Sequence, residues 1–168
     1  MDSVEKLRNC ELAEKLLSEQ NFGAALIAGA VAMFLSAGIY GIVKSLLDSL
    51  YYSILAAGIG IGIGFTIRFL GRGIDRKFAL VASVYALLGC MLGNMFAVVM
   101  DVARAIVVSP FDVLLNTAAS DLYGWMFTDL HFADLMFWII GIGGAAYFAR
   151  RPLTREEGLA LHTYKMRH

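Results

Sequence analysis

A chain of 168 residues has room for one domain, and 59% hydrophobic residues, 17 glycines and a mean hydropathy of +0.68 place it outside the soluble globular class. Its 14 Lys and Arg offset 14 Asp and Glu, so no net charge points to a nucleic acid. Cys10 in a polar tail and Cys90 in mid-span imply no disulfide framework.

Residues 1–21 carry five acids before the first apolar run, unlike the basic start of a secretory signal. Asp2 and Glu5 are spaced as a capping box, and Val4, Leu7, Leu12, Leu16 and Leu17 give a partly amphipathic surface helix. Docking of that helix onto a soluble partner or a neighbouring subunit is the alternative. Span one, about 22–43, has roughly the 20 apolar residues a bilayer needs. Its small-residue row Ala24, Ala28, Ala32 and Ser36 leads to Tyr40, Lys44 and Asp48, where Lys44 and Asp48 stand one turn apart and are expected to pair. Tyr51 and Tyr52 suit a membrane interface.

Span two, about 53–70, holds Gly58, Gly60, Gly62 and Gly64 two residues apart. At 100° per residue, neighbouring glycines fall on nearly opposite faces, so the helix offers two smooth sides. Gly58/Gly62 and Gly60/Gly64 each have the spacing that favours close helix contact, one side within the monomer and the other against something else. Gly71 is expected as a left-handed cap and Gly73 in a tight turn. Span three, about 78–100, carries the row Ala82, Ala86, Cys90 and Asn94 beside Gly89, Gly93 and Ala97. An amide in hydrocarbon needs a partner, so Asn94 is expected to bond another helix or to line a pore.

Residues 101–131 are too polar to span: Asp101 and Arg104 pair at i, i+3, Pro110 breaks the helix, and an interfacial or capping helix is expected beyond it. Span four, about 132–149, begins near Asp134, with Asp129 as its expected N-cap, and stops against Arg150, Arg151 and Pro152. The tail, 150–168, has a capping box in Thr154 and Glu157.

With the N-terminus inside, twelve of the fourteen Lys and Arg fall on the inner side and only Lys44 and Arg104 outside. That asymmetry favours four spans with both ends cytoplasmic. Arg68, Arg72, Arg76 and Lys77 form the densest basic cluster, suited to anionic lipid headgroups. Asp112, Asp121, Asp129 and Asp134 make the outer side acidic, as at a cation pore mouth. Asp129, His131 and Asp134 are the candidate metal or proton group, but continuous helical spacing scatters them over different faces, and no metal or other cofactor is expected. No nucleotide loop, zinc motif or assembled nucleophile and base is present, which excludes the commonest enzyme classes, and nucleic-acid binding has no support.

The runs Gly64-Phe65-Thr66-Ile67-Arg68, Gly71-Arg72-Gly73-Ile74-Asp75-Arg76-Lys77-Phe78 and Leu87-Leu88-Gly89-Cys90-Met91-Leu92-Gly93-Asn94, with Asp134-Leu135-Met136-Phe137-Trp138, resemble a group of small bacterial four-span membrane proteins. The resemblance covers about three quarters of the chain. It implies an inner-membrane setting and carries over no activity and no catalytic residue. The sequence thus points to an all-α, glycine-packed polytopic membrane protein that contacts lipid and self-associates. Its expected function is a homo-oligomeric channel or passive permeation pathway, the alternative being a scaffold or accessory subunit for a protein partner.

Overall fold

The computed structural model describes the backbone of residues 3–47, 51–128 and 130–167, and the side chains of all of these except 3–6, 51–53, 165 and 167. Among the described residues the chain forms eight helices and no strand. They are α1 (Ser3–Ser18), α2 (Phe22–Leu46), α3 (Tyr51–Gly71), α4 (Arg76–Ala105), α5 (Pro110–Asn116), α6 (Ala119–Trp125), α7 (Phe132–Phe148) and α8 (Arg155–Arg167). Three of them, α2, α3 and α4, are long and apolar enough to cross a membrane, and α7 is a shorter apolar helix of 17 residues. The acid pair Asp2/Glu5 and the tyrosines 51 and 52 lie outside the described side chains.

α2, α3, α4 and α7 form the bundle, and α4 touches all three of the others. Two helix pairs run parallel in matched register. On one, Gly29 lies against Tyr85, Ala37 against Gly93 and Gly41 against Ala97, so α2 and α4 advance residue for residue. On the other, Gly60 meets Gly141 and Gly64 meets Ala145. The spacing of eight or four along both partners keeps one row of small residues on each helix facing the other. The buried row of α2 is Ala25, Gly29, Met33 and Ala37, ending at Tyr40 and Gly41. It lies one residue along from the expected row Ala24, Ala28, Ala32 and Ser36, which flanks it half-buried. Large residues join where space allows, and Met33, Ile59, Ile63, Ile67, Phe78 and Trp138 fill the centre.

The turn from α3 to α4 corrects one expectation. Gly71 is the last residue of α3 and has no positive φ; the left-handed residue is Arg72, at φ 47°. Glycine at 71 serves close approach instead, since a Cβ there would stand 2.6 Å from Ala25 Cβ. At Gly73 a Cβ would meet the Phe78 ring at 2.1 Å, and this turn carries a further backbone bond, Arg151 N–H to Gly73 O at 2.9 Å.

Beyond the bundle at that basic end, α1 packs on α8 through Ala13, Leu16, Ala160 and Leu161. α8 starts from the capping box read in the sequence: Thr154 N–H donates to Glu157 Oε2 at 2.8 Å, and Glu157 N–H to Thr154 Oγ1 at 3.3 Å. At the opposite end α5 and α6 lie across α4, with Val113 buried against Val99 and Ala103. The break that the sequence assigns to Pro110 comes earlier. α4 stops at Ala105, and Pro110 opens α5 behind the N-cap Ser109, where its missing N–H costs nothing.

Candidate functional site

Among the described residues, the buried polar side chains meet where α2, α4 and α7 converge under the α5–α6 cap. Lys44 reaches it from the last turn of α2, on the row that continues Tyr40. Asn94 enters from α4 and Asp134 from the first turn of α7, and both are completely buried.

The Lys44 ammonium donates to Asn94 Oδ1 and lies 4.0 Å from Asp134 Oδ2, with its side chain only 10% exposed. Asn94 Nδ2 faces three backbone carbonyls at the end of α6 and just beyond it: Trp125 O at 3.2 Å, Met126 O at 3.0 Å and Thr128 O at 2.9 Å. An amide has two hydrogens, so three acceptors share them. The partners also fix which way the amide points, because the reverse orientation would set NH₂ against an ammonium and the oxygen against carbonyls. Asp134 Oδ2 accepts the His131 backbone N–H at 3.1 Å, and His131 Nδ1 lies 3.8 Å away. The carboxylate therefore has a counter-charge, a backbone donor and the positive end of α7 around it. Nearby, Arg104 tethers the end of α2 by donating to Ser45 O and, at 2.9 Å, to Ser45 Oγ.

The chemistry of this centre is that of a clamp. Among the described residues it joins three helices and the cap through the Lys44–Asp134 ion pair and the shared Asn94 amide. A satisfied ion pair of this kind ties elements together, whereas a half-satisfied one in the same place would cost several kcal/mol, about 3–5.

The structure regroups the residues singled out in the sequence. Asn94 and Asp134 come together, although the one was expected on a packing or pore face and the other in an acidic mouth. Asp112 on α5 and Asp121 on α6 are exposed, whereas Asp134 is buried. Asp129 lies outside the described residues, as does Asp48; the N-cap of α7 is His131, and the described partners of Lys44 are Asn94 and Asp134. Asp101 and Arg104 pair at 3.7 Å. No group of three or more potential metal ligands occurs among the described residues.

The glycines divide by environment. A Cβ on Gly60 would stand 2.0 Å from Gly141 O, one on Gly64 2.7 Å from Ala145 O, and one on Gly93 2.5 Å from the Tyr40 ring. Gly89 leaves ordinary contact distances, and around Gly58 and Gly62 a Cβ would meet nothing within 4 Å. In the basic cluster, Arg72 lies 3.9 Å from Glu19 and Lys77 3.4 Å from Asp75, while Arg76 is exposed and Arg68 half-buried.

Sequence reading alone missed the Lys44–Asp134 pair. The available signal was Lys44 itself, a cation continuing the buried face of an apolar helix. Its partner lies 90 positions away, beyond any local spacing rule. No protein-family model, no curated protein and no solved structure matches this chain.

Proposed function

We propose that this chain is a four-span subunit of a homo-oligomeric assembly in a bacterial inner membrane, providing a passive permeation path, with both termini cytoplasmic. The fourth crossing is supported by the α1–α8 contact. Three crossings by α2, α3 and α4 carry the chain away from α1, and α7 has to return it for α8 to pack there. At 1.5 Å per residue α7 is about 25 Å long, close to the hydrocarbon thickness once its flanking residues are included. The bacterial setting rests on the resemblance of the 71–78 turn and the 87–94 segment.

The observation that carries the assembly is the division of the α3 glycines. Gly60 and Gly64 are consumed by α7, while Gly58 and Gly62 remain open on the same helix. Glycine in a lipid-facing row gives up helix propensity and dispersion contacts, and both are recovered when a second helix approaches closely. The path belongs at the subunit junction, because Asn94 is enclosed by Lys44 and the cap carbonyls. Exposed Asp112 and Asp121 on the cap give such a path an acidic rim that favours cations. The scaffold alternative draws less support, since the apolar residues Ala13 and Leu16 of α1 are spent on α8.

The test is the mass of the protein in lipid nanodiscs together with cation flux into liposomes. A defined oligomer with flux is expected, and both should fall in Gly58→Leu/Gly62→Leu. A monomer, or an oligomer passing no ion under any gradient, overturns the reading.

A further inference from the structure

At the basic end, a cleft of about 550 Å³ opens between the end of α3 and the segment that leaves α7. Arg68, Arg150 and Arg151 supply its polar wall, and Tyr147, Phe148 and Ile74 much of its apolar one. The three guanidiniums differ in what already holds them. Arg151 is built into the fold: its backbone N–H donates to Gly73 O at 2.9 Å, and its side chain bonds Glu157 at 2.9 Å and approaches Glu19 at 3.9 Å. Arg68 and Arg150 have no ion pair or hydrogen bond among the described residues, and the described lining of the cleft that they share includes no acid.

Two guanidiniums with unused donors across a cavity of this size match a phosphate ester, since the guanidinium fork binds phosphate oxygens in pairs. The apolar wall decides how that phosphate arrives. Phe148 stacks on Phe65 of α3 with centroids 4.7 Å apart, and Tyr147, next to it on α7, and Phe69, one turn beyond Phe65 on α3, are 76% and 79% exposed as part of the apolar surface of the bundle. The cleft therefore lies at the border of that surface and the basic end, the level at which a phospholipid carries its phosphate, with aromatic rings at interfacial depth.

We propose that this cleft binds the phosphodiester of an anionic phospholipid, with Arg68 and Arg150 on the phosphate and Tyr147 and Phe148 against the glycerol and upper acyl chain. The site differs from the diffuse attraction of the 72–77 turn, because it has a cavity and a fixed arginine behind it. It stands independently of the permeation reading.

The purified full-length protein in phosphatidylcholine vesicles, titrated with short-chain phosphatidylglycerol and followed by its thermal midpoint, tests this. Arg68→Gln and Arg150→Gln are each expected to weaken the phosphatidylglycerol effect about fivefold or more, in keeping with about 1 kcal/mol per basic group at a membrane surface. Arg76→Gln, which removes the same charge outside the cleft, should change it less than about twofold, as is usual for a screened exposed charge. Arg68→Lys separates fork from charge: partial recovery supports the site. Equal weakening by Arg76→Gln would reduce the effect to general surface charge and overturn the proposal. Displacement of phosphatidylglycerol by millimolar inorganic phosphate would overturn the membrane source in favour of a free phosphate ester.

Discussion

A Cβ on Gly60 would stand 2.0 Å from the carbonyl oxygen of Gly141, so α3 and α7 approach until backbone meets backbone. Nothing at that contact is a flexible side chain that could move aside. Gly60→Ala is therefore expected to lower stability by about 1–3 kcal/mol, the range for overpacking a close contact. Gly62→Ala, one turn-half away with open space around it, is the matched control. It should be neutral or stabilising by about 0.5–1 kcal/mol within the monomer, from the helix preference of alanine. Unfolding midpoints in mixed micelles read both. Equal losses at the two positions would mean that α3 and α7 do not meet as described.

The Lys44–Asp134 pair predicts a marked asymmetry between single and double substitutions. Lys44→Met removes the ammonium beside a fully buried carboxylate, at an expected cost of about 3–5 kcal/mol. Adding Asp134→Leu removes the stranded charge, and the double variant should be more stable than Lys44→Met alone. A double-mutant cycle measures the coupling directly. Additive effects would show that the two charges do not sense each other.

Much of the architecture was legible because hydrocarbon imposes a simple rule. A helix that crosses it needs about 20 mainly apolar residues, and α2, α3 and α4 are long and apolar enough. Local capping chemistry was equally readable at Thr154 and Glu157, three residues apart. Less legible was anything decided across the bundle. The buried row of α2 could be any of several small-residue rows, and its choice depends on how α4 presents Tyr85 and Gly93. Likewise, Gly71 has the composition of a left-handed cap, yet the crowding of Ala25 and Phe78 commits it to close packing and pushes the left-handed turn onto Arg72. Asp129 is a good N-cap type, but His131 is the residue whose position lets Asp134 reach back to its N–H. The polar centre was readable only as loose parts, since a sequence separation of 50 or 90 residues leaves no periodic trace.

The proposed return of α7 makes a labelling prediction. In sealed vesicles, single cysteines on a Cys10→Ser, Cys90→Ser background at Arg76 and His162 should react with a membrane-impermeant maleimide from one side. A cysteine at Asp121, exposed on α6, should react from the other. Labelling of positions 121 and 162 from the same side would mean that α7 does not cross, and would contradict the α1–α8 contact as well.

The end of α4 offers the most local prediction. Val108 N–H bonds Ala103 O at 3.0 Å and Val107 N–H points to Arg104 O at 3.4 Å, the paired bonds of a Schellman ending with Val107 at its left-handed position. Val107 adopts φ 55° there, in a region that a β-branched residue enters at a steric cost of about 1–2 kcal/mol. Its side chain is 90% exposed, so little packing offsets that cost. Val107→Gly is expected to recover about 1 kcal/mol, less the extra freedom of glycine in the unfolded chain. Val107→Asn should recover part of it, because Asn tolerates this conformation better than other non-glycine residues. A rise in the unfolding midpoint ordered Gly above Asn above Val supports the assignment. A fall in both variants would mean that Val107 is held by a contact that this turn does not describe, such as a lipid or a second subunit against the cap.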